Sequence, residues 1–167
     1  SYSFPGFSLP GVFQLGSEDD GSNDNVYYGS GILGNNTSGS QNSALGFEAL
    51  YTNTTGGNNV AVGRWSLYFN TTGSTNVALG RMANYKNTTG SGNVGVGLQT
   101  LYNNETGSDN IAIGVNANHY GLGSTNISIG TYAMNGDQIG GTSTGTENVG
   151  IGYRSLFTYT TGSKNTA

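Results

Sequence analysis

From Asn25 onward the chain repeats one short pattern of polar and apolar positions: Asn, apolar, small, apolar, Gly. It reads Asn25-Val-Tyr-Tyr-Gly29, Asn42-Ser-Ala-Leu-Gly46, Asn59-Val-Ala-Val-Gly63 and Asn76-Val-Ala-Leu-Gly80. Asn93-Val-Gly-Val-Gly97, Asn110-Ile-Ala-Ile-Gly114, Asn126-Ile-Ser-Ile-Gly130 and Asn148-Val-Gly-Ile-Gly152 follow, and Asn165-Thr-Ala167 begins a ninth copy. Successive Asn residues are 17, 17, 17, 17, 17, 16, 22 and 17 positions apart. Later columns keep the same register. Position nine holds Leu33, Leu50, Leu67, Leu101, Met134 and Leu156, interrupted by Asn84 and Asn118, and position ten holds Tyr51, Tyr68, Tyr85, Tyr102, His119 and Phe157. A turn closes the unit as Asn53-Thr-Thr-Gly56, Asn70-Thr-Thr-Gly73, Asn87-Thr-Thr-Gly90 and Asn104-Glu-Thr-Gly107, in residues that tolerate positive φ.

A unit this short has no room for a helical repeat. An alternating strand of four or five residues, a Gly, a second short apolar stretch and a tight turn predict an all-β fold, a parallel β-solenoid (β-roll) of about eight 17-residue coils. Short strands would pair with their equivalents above and below at about 4.8 Å per coil, giving a rod on the order of 40 Å long. Stacking sets Asn25, Asn42, Asn59, Asn76, Asn93, Asn110, Asn126 and Asn148 over one another, so their amides are expected to form an axial ladder. Gly29, Gly46, Gly63, Gly80, Gly97, Gly114, Gly130 and Gly152 are the expected turn glycines. Positions two and four carry large side chains (Val60 and Val62, Ile111 and Ile113, Ile127 and Ile129), while position three is held to Ala61, Ala78, Gly95, Ala112, Ser128 and Gly150. Alternation puts the two sets on opposite faces, and periodicity alone does not say which face looks inward. One narrow coil cannot enclose so many apolar columns, so a second subunit is expected to cover the remainder.

Two organisational units are expected, an arm and acidic linker over 1–24 and the repeat domain over 25–167. The apolar residues Phe4, Phe7, Leu9, Val12, Phe13 and Leu15 make the arm a candidate subunit contact. It would either cap the first coil or be donated to a neighbouring subunit as an added strand. The insertion behind the 22-residue step carries Asp137, Gln138 and Ile139 as candidate partner contacts, because insertions in solenoids map to one face. The chain begins at Ser1 and stops as a new coil starts, which points to a processed protein or a piece of a longer one, or to a subunit that stacks on another.

Composition narrows the chemistry. Of 167 residues 30 are Gly, only 8% are charged, Cys is absent and the net charge is −4. Thiolate metal sites and disulfides are excluded, and five scattered basic residues give no nucleic-acid footprint. No apolar run is long enough for a membrane span, and there is no signal-peptide pattern. No cofactor is expected. Glu18, Asp19, Asp20 and Asp24 have the oxygen chemistry of a calcium site but read as a solvated linker. Gly90-Ser-Gly-Asn-Val-Gly95 matches a dinucleotide fingerprint without the helix that such a loop must open. Gly141-Thr-Ser-Thr-Gly145 has the letters of a nucleophile elbow, but the sole His119 sits in the aromatic column.

The units Asn59-Val-Ala-Val-Gly63 and Asn110-Ile-Ala-Ile-Gly114, with the linkages Thr72-Gly-Ser-Thr-Asn76 and Thr106-Gly-Ser-Asp-Asn110, resemble the left-handed parallel β-roll of YadA-like trimeric adhesin heads. They are similar also to repeats in bacteriophage tail fibres. The resemblance spans 25–167 and implies a homotrimeric, non-enzymatic fibre of an extracellular, cell-surface or virion location. It transfers no functional residue, and the adhesin unit is shorter than 17. The expected role is therefore a structural, self-associating fibre subunit with a host-surface or glycan receptor as a candidate partner. A head-to-tail filament joined by the arm is the alternative. Ice binding through the paired Thr54-Thr55, Thr71-Thr72 and Thr88-Thr89 columns is a further one. Glu48, Glu105, Asp109, Asp137 and Glu147 fall in different columns, which speaks against polysaccharide hydrolysis by paired carboxylates.

Overall fold

The computed structural model describes residues 16–17, 24–136 and 143–167. The arm candidates Phe4, Phe7, Leu9, Val12, Phe13 and Leu15, the acids Glu18, Asp19 and Asp20, and Asp137, Gln138 and Ile139 lie outside the described residues. The described chain is an all-β parallel solenoid built on one sheet. Its strands are β1 (Gly16–Ser17), β2 (Val26–Tyr28), β3 (Ser43–Leu45), β4 (Val60–Val62), β5 (Val77–Leu79), β6 (Val94–Val96), β7 (Ile111–Ile113), β8 (Ile127–Ile129) and β9 (Val149–Ile151). From β2 to β9 each strand pairs in parallel with the next, like position on like position: Val60 with Val77, Ala61 with Ala78, Val62 with Leu79. The irregular steps of 16 and 22 residues keep that register, so Ile111 pairs with Ile127 and Ile127 with Val149. At the first edge β1 runs antiparallel, placing Gly16 beside Tyr27 and Ser17 beside Val26.

Each of the strands β2 to β9 is three residues long, shorter than the four or five expected, and the second apolar stretch is not a strand. It turns through left-handed backbone instead: Trp65 and Leu67 stand at φ 61° and 49°, and the same two positions are left-handed in the other coils, with Gln99 at 53° and Leu101 at 49°. Non-glycine residues resist this region by about 1–2 kcal/mol each. Hydrogen bonds between rungs hold them there. Met82 N–H donates to Arg64 C=O at 3.0 Å and Leu67 N–H to Ala83 C=O at 3.0 Å, outside the strands, just as Val60 N–H donates to Asn76 C=O at 2.8 Å beside them. Pairing between rungs thus runs round much of the coil.

The turn also differs from expectation. Asn53, Asn70, Asn87 and Asn104 are not among the left-handed residues; the positive φ falls just before the next Asn, at Asn58 (59°) and Thr75 (59°). The position-five glycines do need their freedom. Gly63 lies at φ 127°, and a Cβ on it would stand 2.6 Å from the Gly80 carbonyl oxygen of the next rung.

Position three faces inward. Ala61, Ala78 and Ala112 are fully buried, as are Leu50, Leu67, Leu101 and Met134 at position nine and Ala49, Ala83 and Ala117 at position eight. The core is interrupted where Asn84 replaces Leu: one apolar cluster runs from Ile32 to Ala83, and a second comprises Leu101, Ala112 and Ala117. Both Asn84 amide atoms are buried and lack hydrogen-bond partners, each a desolvation cost of about 1–3 kcal/mol. Asn84→Leu, which restores the column between Leu67 and Leu101, is expected to raise the unfolding free energy by about 1–3 kcal/mol in denaturant titration. A destabilised variant would show that Asn84 is held by contacts other than this packing.

Candidate functional site

The interior is organised by two asparagine ladders. In the first, at position one, each side-chain oxygen accepts from the backbone of the next rung: Asn59 N–H donates to Asn42 Oδ1 at 3.0 Å, Asn76 N–H to Asn59 Oδ1 at 2.9 Å, and Asn165 N–H to Asn148 Oδ1 at 2.9 Å. The amide nitrogen reaches across the coil, Asn59 Nδ2 donating to Gly73 C=O at 3.0 Å and Asn76 Nδ2 to Gly90 C=O at 2.9 Å. From Asn25 through Asn148 all eight of these residues are buried.

The second ladder was not anticipated from the sequence. Asn53, Asn70 and Asn87, read there as turn residues, are buried, and each donates from Nδ2 to the Oδ1 of the preceding rung's Asn at 2.9, 2.8 and 2.7 Å. The same Nδ2 groups bridge to the turn carbonyls of Gly56, Gly73 and Gly90 at 2.9 Å. The signal was present in the fixed three-residue spacing of Asn and Gly, which a chain-local reading assigns to φ preference. This ladder ends at Asn87, whose Oδ1 has no partner. Four rungs on, Tyr159 occupies the same position, and its hydroxyl donates to Asn118 Oδ1 at 2.9 Å.

With small residues and amides inside, the large side chains at positions two and four face out. They are half-buried or exposed: Val26 54%, Tyr28 42%, Leu45 45%, Leu79 37%, Ile113 39% and Ile151 58%. No charged residue occupies either position in the eight rungs. Position six widens this face with Phe47, Leu98, Val115 and Tyr153, all exposed, and with two arginines. Arg64 lays its guanidinium 3.7 Å from the Trp65 ring centre and 5.6 Å from that of Phe47, which covers apolar rings without burying the charge.

Position ten forms a second outward feature. Tyr51, Tyr68, Tyr85, Tyr102 and His119 stack with centroid separations of 5.4, 5.6, 5.0 and 4.8 Å and interplanar angles of 14°, 25°, 15° and 4°. Such pairs contribute about 0.5–1.5 kcal/mol each beyond area burial. His119 ends the column, and its Nδ1 lies 3.2 Å from the Gln99 carbonyl oxygen, so the neutral ring carries its proton on Nδ1. Burial holds the His119 pKa below its usual value; the Gln99 carbonyl opposes that shift and Lys86 adds to it.

Of the paired threonines, the first in each pair is committed to the fold, Thr54 Oγ1 donating to Thr71 C=O at 2.9 Å and Thr71 Oγ1 to Thr88 C=O at 3.0 Å. Ser143, from the elbow-like string, donates its hydroxyl to Tyr159 C=O at 2.8 Å. Among the described residues no three of His, Asp and Glu gather as a metal site requires, and no helix is long and apolar enough to cross a membrane. Comparison with protein-family models, with curated proteins and with solved structures gives no match to this chain.

The His119 environment has a pH consequence. Its folded-state pKa is lowered from 6.5, so protonation favours the unfolded chain: its contribution to stability is full above about pH 6.5 and is lost as the pH falls through the lower folded value. The melting temperature is expected to drop between pH 7.5 and pH 5, and His119→Phe, which keeps an aromatic ring in the column, to remove part of that drop. An identical pH profile in the variant would exclude His119 as a source.

Proposed function

We propose that this chain is a structural, non-enzymatic fibre subunit that associates with further copies of itself, as in adhesin heads or tail fibres of a cell or virion surface. One observation carries the reading: the uncharged, partly exposed face made by positions two and four, continuous over the eight strands β2 to β9. A stripe of that extent is an association surface rather than a solvated one. A second copy suits it better than an unrelated partner. Its side chains recur at the strand spacing of about 4.8 Å, and only a surface with the same repeat meets it rung for rung. Closed symmetry about the rod axis then buries the stripe in each copy and leaves the aromatic column outside.

The resemblance of the Asn-Val-Ala-Val-Gly units to trimeric adhesin heads and phage tail-fibre repeats supports three copies over two. The rigid stack of rungs supports a role in length and stiffness, with recognition carried by features added to it. In light scattering the chain is expected at about 50 kDa, three chains of 17.2 kDa each. Ile113→Glu places a charge in the middle of the stripe on a side chain that is 39% exposed in the single chain. It is expected to yield monomers whose β circular dichroism is unchanged. A wild-type protein that stays monomeric at all accessible concentrations would overturn the proposal, and long filaments in negative stain would replace it with the head-to-tail arrangement.

A further inference from the structure

Between the position-seven and position-ten columns runs a groove whose filling changes along the rod. In the earlier coils position seven carries Trp65 and Met82, and the groove is packed: Trp65 stands 6.5 Å from Tyr85, and Phe69 sits edge-on to Tyr68 and Tyr85 at 4.8 and 5.1 Å. In the next three coils the same position holds Gln99, Asn116 and Tyr132, while His119 and then Asn135 succeed the tyrosines. The groove opens there into a cleft of about 360 Å³ lined by Gln99, Asn116, His119, Tyr120, Tyr132 and Asn135, a volume in the range of small-ligand sites.

The departures from the repeat gather at this point. The irregular steps of 16 and 22 residues, the only His and the interruption of the leucine column by Asn118 all belong to these rungs. None of the departures is needed to continue the rod, since the strands keep their pairing through both irregular steps.

The polar groups of the cleft are incompletely paired within the chain. Asn135 is 2% exposed, and its Oδ1 has no hydrogen-bond partner; the Oδ1 of Asn116 is likewise buried and unpartnered. Both oxygens are closed to solvent in the unliganded chain; a buried acceptor without a donor costs about 1–3 kcal/mol, and a side-chain shift that turns it to the cleft lets a ligand donor relieve that cost. His119 adds a third acceptor, because the Nδ1 proton faces the Gln99 carbonyl and Nε2 is then the basic nitrogen. The aromatic walls are held in place: Tyr120 packs 4.5 Å from His119, and Tyr132 lies edge-on to Phe157 at 6.3 Å with Arg154 5.9 Å from its ring centre. The six lining residues include no carboxylate and no lysine or arginine.

We infer that this cleft is a binding site for a neutral saccharide unit, whose hydroxyls hydrogen-bond to Gln99, Asn116, Asn135 and His119 and whose apolar ring face rests on Tyr120 and Tyr132. A metal cation is disfavoured by the lack of a carboxylate, and a charged ligand by a lining without charged side chains, Lys86 and Arg154 neighbouring His119 and Tyr132 without lining the cleft. An apolar ligand would leave the amide oxygens unpaired. The site is formed within one chain, so it goes beyond self-association and does not depend on it.

The test uses the full chain with glucose, galactose, mannose, N-acetylglucosamine and N-acetylgalactosamine, each titrated by saturation-transfer difference NMR, with calcium chloride titrated by calorimetry as the competing ligand. The expected result is saturable binding of at least one sugar in the millimolar range, weakened at least tenfold by Tyr132→Ala and by Gln99→Ala. Both residues are only partly buried, so light-scattering mass is expected to stay at the wild-type value for both, and melting temperature to stay there for Gln99→Ala and to fall modestly for Tyr132→Ala, which loses its Phe157 contact; the unchanged mass separates this outcome from any failure of assembly. No saturable sugar binding, binding that survives both substitutions, or saturable calcium binding in place of sugar would each overturn the inference.

Discussion

The structure depends on one hydrogen-bond arrangement, in which an asparagine oxygen accepts from the backbone N–H of the asparagine one rung along while its amide nitrogen spans the coil to a glycine carbonyl. This arrangement works only if every rung places its Asn directly over the last. It therefore fixes register along the rod in a way that three-residue strands could not do alone, and it absorbs the 16- and 22-residue steps by restoring stacking at the next Asn. Amides buried in this way are tolerated because they are paired, and a paired amide column stiffens the interior rather than hydrating it.

An interior occupied by amides has little width left. Beyond the first coil, where Ile32 is buried at position eight, positions three and eight are consequently small, and position nine brings the large aliphatic side chains inward. The large β-branched residues that give the strands their propensity have no place inside and are turned out. The exposed apolar stripe is thus a direct consequence of a narrow polar core. The chain reverses the usual arrangement in which a sheet hides its large residues against its own core, and much of its apolar surface stays unburied within the single chain. The tyrosine column solves the same spatial problem differently, since rings stacked on one another cover their faces within a single chain.

Much of the architecture was legible in the sequence because the repeat period and the strand pairing are the same information. Once Asn59 and Asn76 are aligned, the pairing of Val60 with Val77 follows, as does the placement of Asn over Asn. The direction of the faces was not legible: Val-Ala-Val alternates equally well either way, and what decides it is the interior width set by the amides. Nor was the second ladder at Asn53, Asn70 and Asn87, because Asn and Gly three apart also describe an ordinary turn, and only stacking distinguishes a buried amide from a solvated one. The left-handed Trp65 and Leu67 ran against local preference. Their conformation is imposed by hydrogen bonds to adjacent rungs, which no single coil contains. The cleft was missed for a related reason. Its residues come from three rungs, and each alone looks like an ordinary loss of consensus.

Departures from the repeat carry a physical cost in a fold of this kind. Contacts run chiefly between adjacent rungs, with Tyr159 reaching past one rung to Asn118, so a changed side chain is felt by the rungs beside it and cannot be averaged over a large core. The second ladder leaves Asn87 Oδ1 and Asn104 Oδ1 unpartnered where it breaks, and Asn84 sits in the leucine column with neither amide atom bonded. These costs begin at the fourth rung and accompany the change of the groove from Trp65 and Met82 to Gln99, Asn116 and Tyr132. A rod selected for length and stiffness alone would gain by continuing the leucine, tyrosine and asparagine columns through that region. Their interruption, which begins one rung before the cleft and continues through the rungs that open it, fits a molecule in which most coils supply rigidity and a few give up stability for a polar recess.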